Sequence, residues 1–101
     1  MSVVSYQLLD DIGVIRVNNP PVNALSHSLR KGIQDALKLA QDDSSLAVVL
    51  VCEGRTFIAG ADISEFGKTP MMPSLPELLI NIESSKKPII AAIHGTALGG
   101  G

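Results

Sequence analysis

One local arrangement occurs twice in this chain and limits its fold more than any other feature. A strand-like run, Ala47 to Glu53, leads through a turn to the small-residue cluster Ala59-Gly60-Ala61-Asp62. A second run, Ile89 to Ile93, leads through Gly95 to Ala97-Leu98-Gly99-Gly100-Gly101. Leu46 to Cys52 shows no polar alternation, which predicts a strand covered on both faces, as in a parallel sheet. Pro88 to Ile93 reads as a second buried strand of the same kind.

The segment before the first run supplies the crossover that a parallel sheet needs. Leu29, Ile33, Ala36, Leu37 and Ala40 recur at helical spacing, while Arg30, Lys31, Gln34, Asp35, Lys38 and Gln41 fall on the other face. Ser26 is placed to cap this helix, and Asp42-Asp43-Ser44-Ser45 ends it. Upstream, Val3 to Leu9 and Val14 to Val17 read as strands joined by a reversal at Asp10-Asp11-Ile12-Gly13. Asn18-Asn19-Pro20-Pro21 stops the second of them, since prolines remove amide donors, and a loop runs to Leu25. The order β-α-β predicts a right-handed crossover. Lys68 to Pro76, with three prolines and two methionines, reads as a connector, and Glu77 to Ser84 as a short helix. The class is α/β.

Composition removes several function classes. A chain of 101 residues with 46% hydrophobic residues has the make-up of one folded unit with a small core. Eight Lys and Arg stand against ten Asp and Glu, unclustered, and Tyr6, Phe57 and Phe66 are the only aromatics. A nucleic-acid surface needs a concentrated positive footprint, so no nucleic-acid partner is expected. The apolar run Leu46 to Cys52 falls far short of the roughly 20 residues of a membrane span. Cys52 has no partner for an internal disulfide, and no secretory signal is readable, so a soluble protein of a reducing, intracellular compartment is expected.

Small residues after a strand let backbone approach a ligand, and the first amides of a following helix lack internal partners. If the two apolar strands are neighbours, both clusters lie at one edge and two amides can converge on one point. That is the geometry of an oxyanion hole, although the same residues also serve ordinary turns and close packing. Asp62 and Glu65, three apart, read either as a carboxylate pair or, for Asp62, as a residue binding backbone amides at a helix start. His94 at a strand end reads as a general base or a structural histidine, His27 as solvent-facing, and Cys52 as a buried, inert thiol. Gly95 to Gly99 lacks the spacing of a dinucleotide site, Gly54 to Gly60 lacks the Lys-Ser/Thr of a P-loop, and no cluster has metal-ligand spacing. No cofactor and no metal are expected.

Phe57-Ile58-Ala59-Gly60-Ala61-Asp62-Ile63, followed by Lys87-Pro88-Ile89-Ile90-Ala91-Ala92-Ile93-His94-Gly95-Thr96-Ala97-Leu98-Gly99-Gly100-Gly101, resembles the paired signature of the crotonase superfamily, also called the enoyl-CoA hydratase/isomerase family. Asn19-Pro20-Pro21-Val22-Asn23-Ala24-Leu25-Ser26 is similar to the loop that opens the family's first helix. The variant is most like the hydratase/isomerase domain of multifunctional fatty-acid β-oxidation enzymes. The resemblance implies a crotonase-like superhelix of ββα turns, with the amides of Ala61 and Gly100 as the oxyanion hole for an acyl-CoA thioester. It places the loop Asn23 to Ser26 and the segment Ala59 to Ile63 near the CoA moiety, and implies that Asn23, Ala24, Leu25, Ala59, Gly60, Asp62, Ile63 and Gly99 bind the substrate. Coenzyme A is then part of the substrate, not a separate cofactor.

Family hydratases use two glutamates as acid and base, one shortly after the glycine triplet and one further on, and this sequence stops at Gly101. Residues 1–101 are therefore expected to be the N-terminal part of a single crotonase-like domain, truncated after the triplet and inactive alone. The parent is expected to be an enoyl-CoA hydratase of β-oxidation, with enoyl-CoA isomerase activity as an addition, assembled as a trimer-based homo-oligomer or carried in a longer multifunctional chain. The alternatives are another reaction of the family (isomerase, hydrolase, decarboxylase or dehalogenase) and a non-catalytic acyl-CoA-binding or assembly fragment.

Overall fold

The computed structural model describes residues 2–101. Two strands, β1 (Val4–Leu9) and β2 (Ile12–Val17), form an antiparallel hairpin turned by Asp10 and Asp11 alone. Ile12 and Gly13, expected in the reversal, instead pair within the ladder, opposite Leu9 and Leu8. Helix α1 (His27–Asp42) then returns the chain to β3 (Ala47–Cys52), which runs parallel to β2. After β4 (Thr56–Ile58) and α2 (Leu75–Glu83), β5 (Ile89–Ala91) adds parallel to β3. The sheet order is β1-β2-β3-β5, and β4 forms a separate parallel pair with β6 (Thr96–Ala97).

Register explains the core. Ile15 lies opposite Leu50 and Val17 opposite Cys52, so these side chains share one face of the sheet. Leu29, Ile33, Ala36, Leu37 and Ala40 of α1 are buried with them. Fully burying one such aliphatic side chain stabilises the fold by about 1.5–3 kcal/mol. The helix starts where expected: Ser26 Oγ accepts from the Leu29 amide at 3.2 Å, an interaction typically worth about 1 kcal/mol. Its end is held from a distance. Lys87 Nζ donates to the Ala40 carbonyl and, at 2.9 Å, to the Asp43 carbonyl, satisfying acceptors the last turn leaves open.

Three expectations are corrected. β3 alternates: Val48, Leu50 and Cys52 are buried, whereas Ala47, Val49 and Val51 are half-buried and Leu46 is exposed. Pro88 to Ile93 is not a buried strand, since β5 holds only Ile89–Ala91, with Ile90 and Ala91 exposed. Among the described residues β5 is the outermost strand of its sheet, and nothing there covers Ile90 and Ala91. The second helix begins at Leu75, not Glu77; Ser74 Oγ accepts from the Glu77 amide, and Pro76 sits in the first turn, where a missing amide costs nothing.

Candidate active site

The two small-residue clusters meet because β4 and β6 pair in parallel, Thr56 with Thr96 and Ile58 with Ala97. Both clusters leave their strands in the same direction, and the Leu98 amide donates to the Ile58 carbonyl at 3.0 Å. Contact continues beyond the strands. Gly60 has φ +110°, and a β-carbon built there would lie 3.3 Å from the Leu98 carbonyl oxygen, so both the backbone angle and the neighbour require glycine.

The loop before α1 closes the other side of the first cluster. The Ala59 amide donates to the Val22 carbonyl at 3.1 Å and the Leu25 amide to the Gly60 carbonyl at 2.8 Å. Asn23 makes this loop rigid. It is 2% exposed, has φ +54°, and donates from Nδ2 to the carbonyls of Glu53 and Thr56 at 2.9 and 2.8 Å. Its Oδ1 accepts from the Asn19 amide at 2.8 Å, and Asn19 Nδ2 reaches the Ala24 carbonyl at 3.0 Å.

Among the described residues, neither the Ala61 amide nor the Gly100 amide donates to a protein acceptor. Both residues are exposed. Ala61 lines a cavity of about 210 Å³ with Arg30, Asp62, Glu65 and Lys68. Gly100 lines a second, of about 230 Å³, walled by apolar side chains including Phe57, Ile58, Leu78 and Ile93. Leu25 and Leu75 line both, so they stand between the two spaces. Both cavities are largely apolar, the first bordered in addition by charged side chains, and a backbone amide without a protein acceptor stands at each.

The carboxylates near this site are already engaged. Asp62 caps a 3₁₀ turn at Ile63–Glu65; its Oδ1 accepts from Ser64 Oγ at 2.7 Å and the Ser64 amide at 3.0 Å, and these bonds hold its pKa below the usual carboxylate value. The helix-start reading of Asp62 is therefore the one observed. Glu65 accepts from the His27 amide at 2.7 Å and from Arg30 Nη1 at 3.1 Å, so the two carboxylates do not form a pair on a shared proton. Ile63 is exposed, and Gly99 has φ +55° and lies against Gly60. His94 Nε2 lies 2.7 Å from the Gly54 carbonyl.

His27 is half-buried, and its Nε2 lies 2.8 Å from the Met72 carbonyl in an exposed contact, so the ring faces solvent while reaching the connector. Cys52 is buried, and burial pushes its thiol up to about 11. Arg30 departs furthest from expectation. Assigned to the polar face of α1, it is buried and bonded on every side. Its spacing of three from Ile33, and seven from Leu37, was the available sign that it borders the apolar stripe. No group of three His, Cys, Asp or Glu side chains able to hold a metal occurs among the described residues, and no described helix is long and apolar enough to cross a membrane.

Residues 9–101 match the family model described as enoyl-CoA hydratase/isomerase. The chain is 43% identical over 98 residues to the peroxisomal bifunctional enzyme of Danio rerio, covering 95% of this chain and 14% of that protein. It is 38% identical over 109 residues to the probable enoyl-CoA hydratase of Bacillus subtilis (strain 168), covering 100% of this chain and 42% of that one. Among solved structures, methylmalonyl-CoA decarboxylase superposes with a TM-score of 0.85 at 26% identity, over 97% of this chain and 40% of its own. The chain thus spans less than half the length of each of these proteins.

Proposed function

The chain belongs to the enoyl-CoA hydratase/isomerase family, and from that premise we propose that it carries the oxyanion-binding part of an enoyl-CoA hydratase. One observation supports this above the others: two amides without protein acceptors, Ala61 and Gly100, stand beyond the ends of the paired strands β4 and β6. In this reading they donate to the thioester oxygen of a trans-2-enoyl-CoA. Water gives up a proton as its oxygen bonds to C3, the π electrons move onto the thioester oxygen as an enolate, and a proton is then delivered to C2 as the thioester carbonyl re-forms. Fixed donors aimed at the charge that develops lower the barrier without reorganising during the reaction. In this reading the cavity that Ala61 lines with Arg30 and Lys68 takes the CoA side, and the cavity that Gly100 lines takes the acyl side.

Asp62 and Glu65 serve structure, so proton transfer falls to the two glutamates that family hydratases carry after the glycine triplet. The exposed Ile90, Ile93 and Leu98 are the surface that further ββα turns would cover. Assembly as a trimer, or within a longer multifunctional chain, and an intracellular setting such as the peroxisome of the Danio rerio relative complete the proposal.

The likeness to methylmalonyl-CoA decarboxylase supports a second reading, in which the same two amides hold an enolate formed by loss of carbon dioxide. Incubating the full-length protein separately with crotonyl-CoA and with methylmalonyl-CoA separates the two. Formation of 3-hydroxybutyryl-CoA supports hydration; carbon dioxide release without hydration overturns it.

A further inference from the structure

Helix α1 carries one charge that it does not present to solvent. Arg30 is 9% exposed. Its Nε donates to the Pro73 carbonyl at 2.7 Å and its Nη2 to the Met71 carbonyl at 3.2 Å. Its Nη1 reaches the Leu25 carbonyl at 2.7 Å and Glu65 Oε1 at 3.1 Å. A buried guanidinium persists only when its charge and donors are matched, and the planar fork of arginine can meet oxygens from several directions at once.

The partners of Arg30 flank Ala61 in space. Leu25 donates its own amide to Gly60, the residue before Ala61. Glu65 ends the 3₁₀ turn that follows Ala61 and Asp62, and its second oxygen holds the His27 amide at 2.7 Å. The Met71 to Pro73 segment is tied to α1 by the same guanidinium and by His27, and the adjoining Pro70 and Ser74 help wall the cavity that Ala61 lines. The loop end at Leu25, the turn at Glu65 and the Met71 to Pro73 connector are therefore fixed to one another through one side chain.

Resting on the reading of Ala61 as an oxyanion donor, we propose that Arg30, braced by Glu65, is a positioning residue for that donor. It acts through the backbone it holds, setting where the 60–65 segment stands relative to the Gly100 turn. Hydrogen bonds to a developing oxyanion are effective only over a narrow range of distance, and a displacement of about 1 Å can cost about 10²-fold in rate. Tight substrate binding does not need that precision, so the loss should appear in kcat.

The test uses the full-length protein with Arg30→Met, Arg30→Lys and Glu65→Gln, measuring kcat, KM and amide hydrogen exchange by segment. Arg30→Met is expected to lower kcat by about 10- to 100-fold, over and above any change in KM that follows from the cavity Arg30 lines. Exchange should quicken across 60–65 and remain unchanged across 96–101, and Arg30→Lys should recover part of kcat. A folded Arg30→Met variant with wild-type exchange across 60–65, or with raised KM and unchanged kcat, overturns the proposal. Should Arg30→Met fail to fold, wild-type exchange and kcat in both Arg30→Lys and Glu65→Gln overturn it equally. A wild-type protein that turns over no acyl-CoA counts against the functional reading alone, and the exchange data still decide whether Arg30 holds the Ala61 segment.

Discussion

The Leu25 amide donates to the Gly60 carbonyl at 2.8 Å, so the residue that leads into helix α1 and the residue before the proposed oxyanion donor are joined by one backbone bond. The turn at Gly60 is thereby held between two neighbours, the α1 loop on one side and the Leu98-Gly99 backbone on the other. Gly60→Ala places a β-carbon in that space at φ +110°, a region L-residues rarely enter. The expected cost is about 1–3 kcal/mol, read from urea denaturation. The folded fraction should also lose kcat, because the turn cannot relax without moving Ala61.

Asn23 is the second fixed point. Asn23→Ala removes one acceptor and two donated bonds, and puts alanine at a positive φ. Leaving the Glu53 and Thr56 carbonyls short of a donor should destabilise the protein by about 2–4 kcal/mol. Asn23→Asp should be worse, since a carboxylate would face the same two carbonyl oxygens. Thermal melts of the three proteins at one pH check the order.

Acid sensitivity should arise at the C-terminal end of α1, where Asp43 meets Tyr6 of β1 and Lys87. Asp43 accepts from Ser45, Tyr6 and Lys87, and these bonds, with Ser45 first, hold its pKa well below the usual carboxylate range. A carboxyl whose folded pKa is depressed contributes stability that is complete above its unfolded value of about 3.9 and is lost as pH falls below it. The gap in Tm between wild type and Asp43→Asn should therefore be widest near neutral pH and shrink below about pH 4. An equal gap at pH 3 and pH 7 would assign the acid sensitivity to other groups.

What the sequence showed, and what it hid, follows from the range of the forces involved. Helix α1 was legible because its cap, its apolar stripe and its terminating residues all lie within one short segment. The two small-residue clusters were legible as a repeated pattern, and the parallel pairing of β3 with β5 was the expected arrangement. Strands β4 and β6 escaped notice: they span three and two residues, too short for periodicity to mark, and each exists only through the other. The burial of Arg30 depends on carbonyls 41 and 43 positions further along the chain, which no local pattern reports. Apolar Pro88 to Ile93 looked buried because composition records what a segment can bury, whereas its exposure here follows from there being no described element packed over β5.

The most direct test of the account is kcat for crotonyl-CoA hydration by the full-length protein and its Ala61→Pro variant, with circular dichroism and oligomer size recorded on the same samples. Proline deletes the Ala61 amide donor, and the loss of one such donor lowers kcat by about 10²- to 10³-fold. The account predicts a loss in that range from a variant that stays folded and still binds the acyl-CoA. A folded Ala61→Pro enzyme with near-normal kcat would contradict it, and would leave the Ala59-Gly60-Ala61 cluster as a packing feature of the β4 turn.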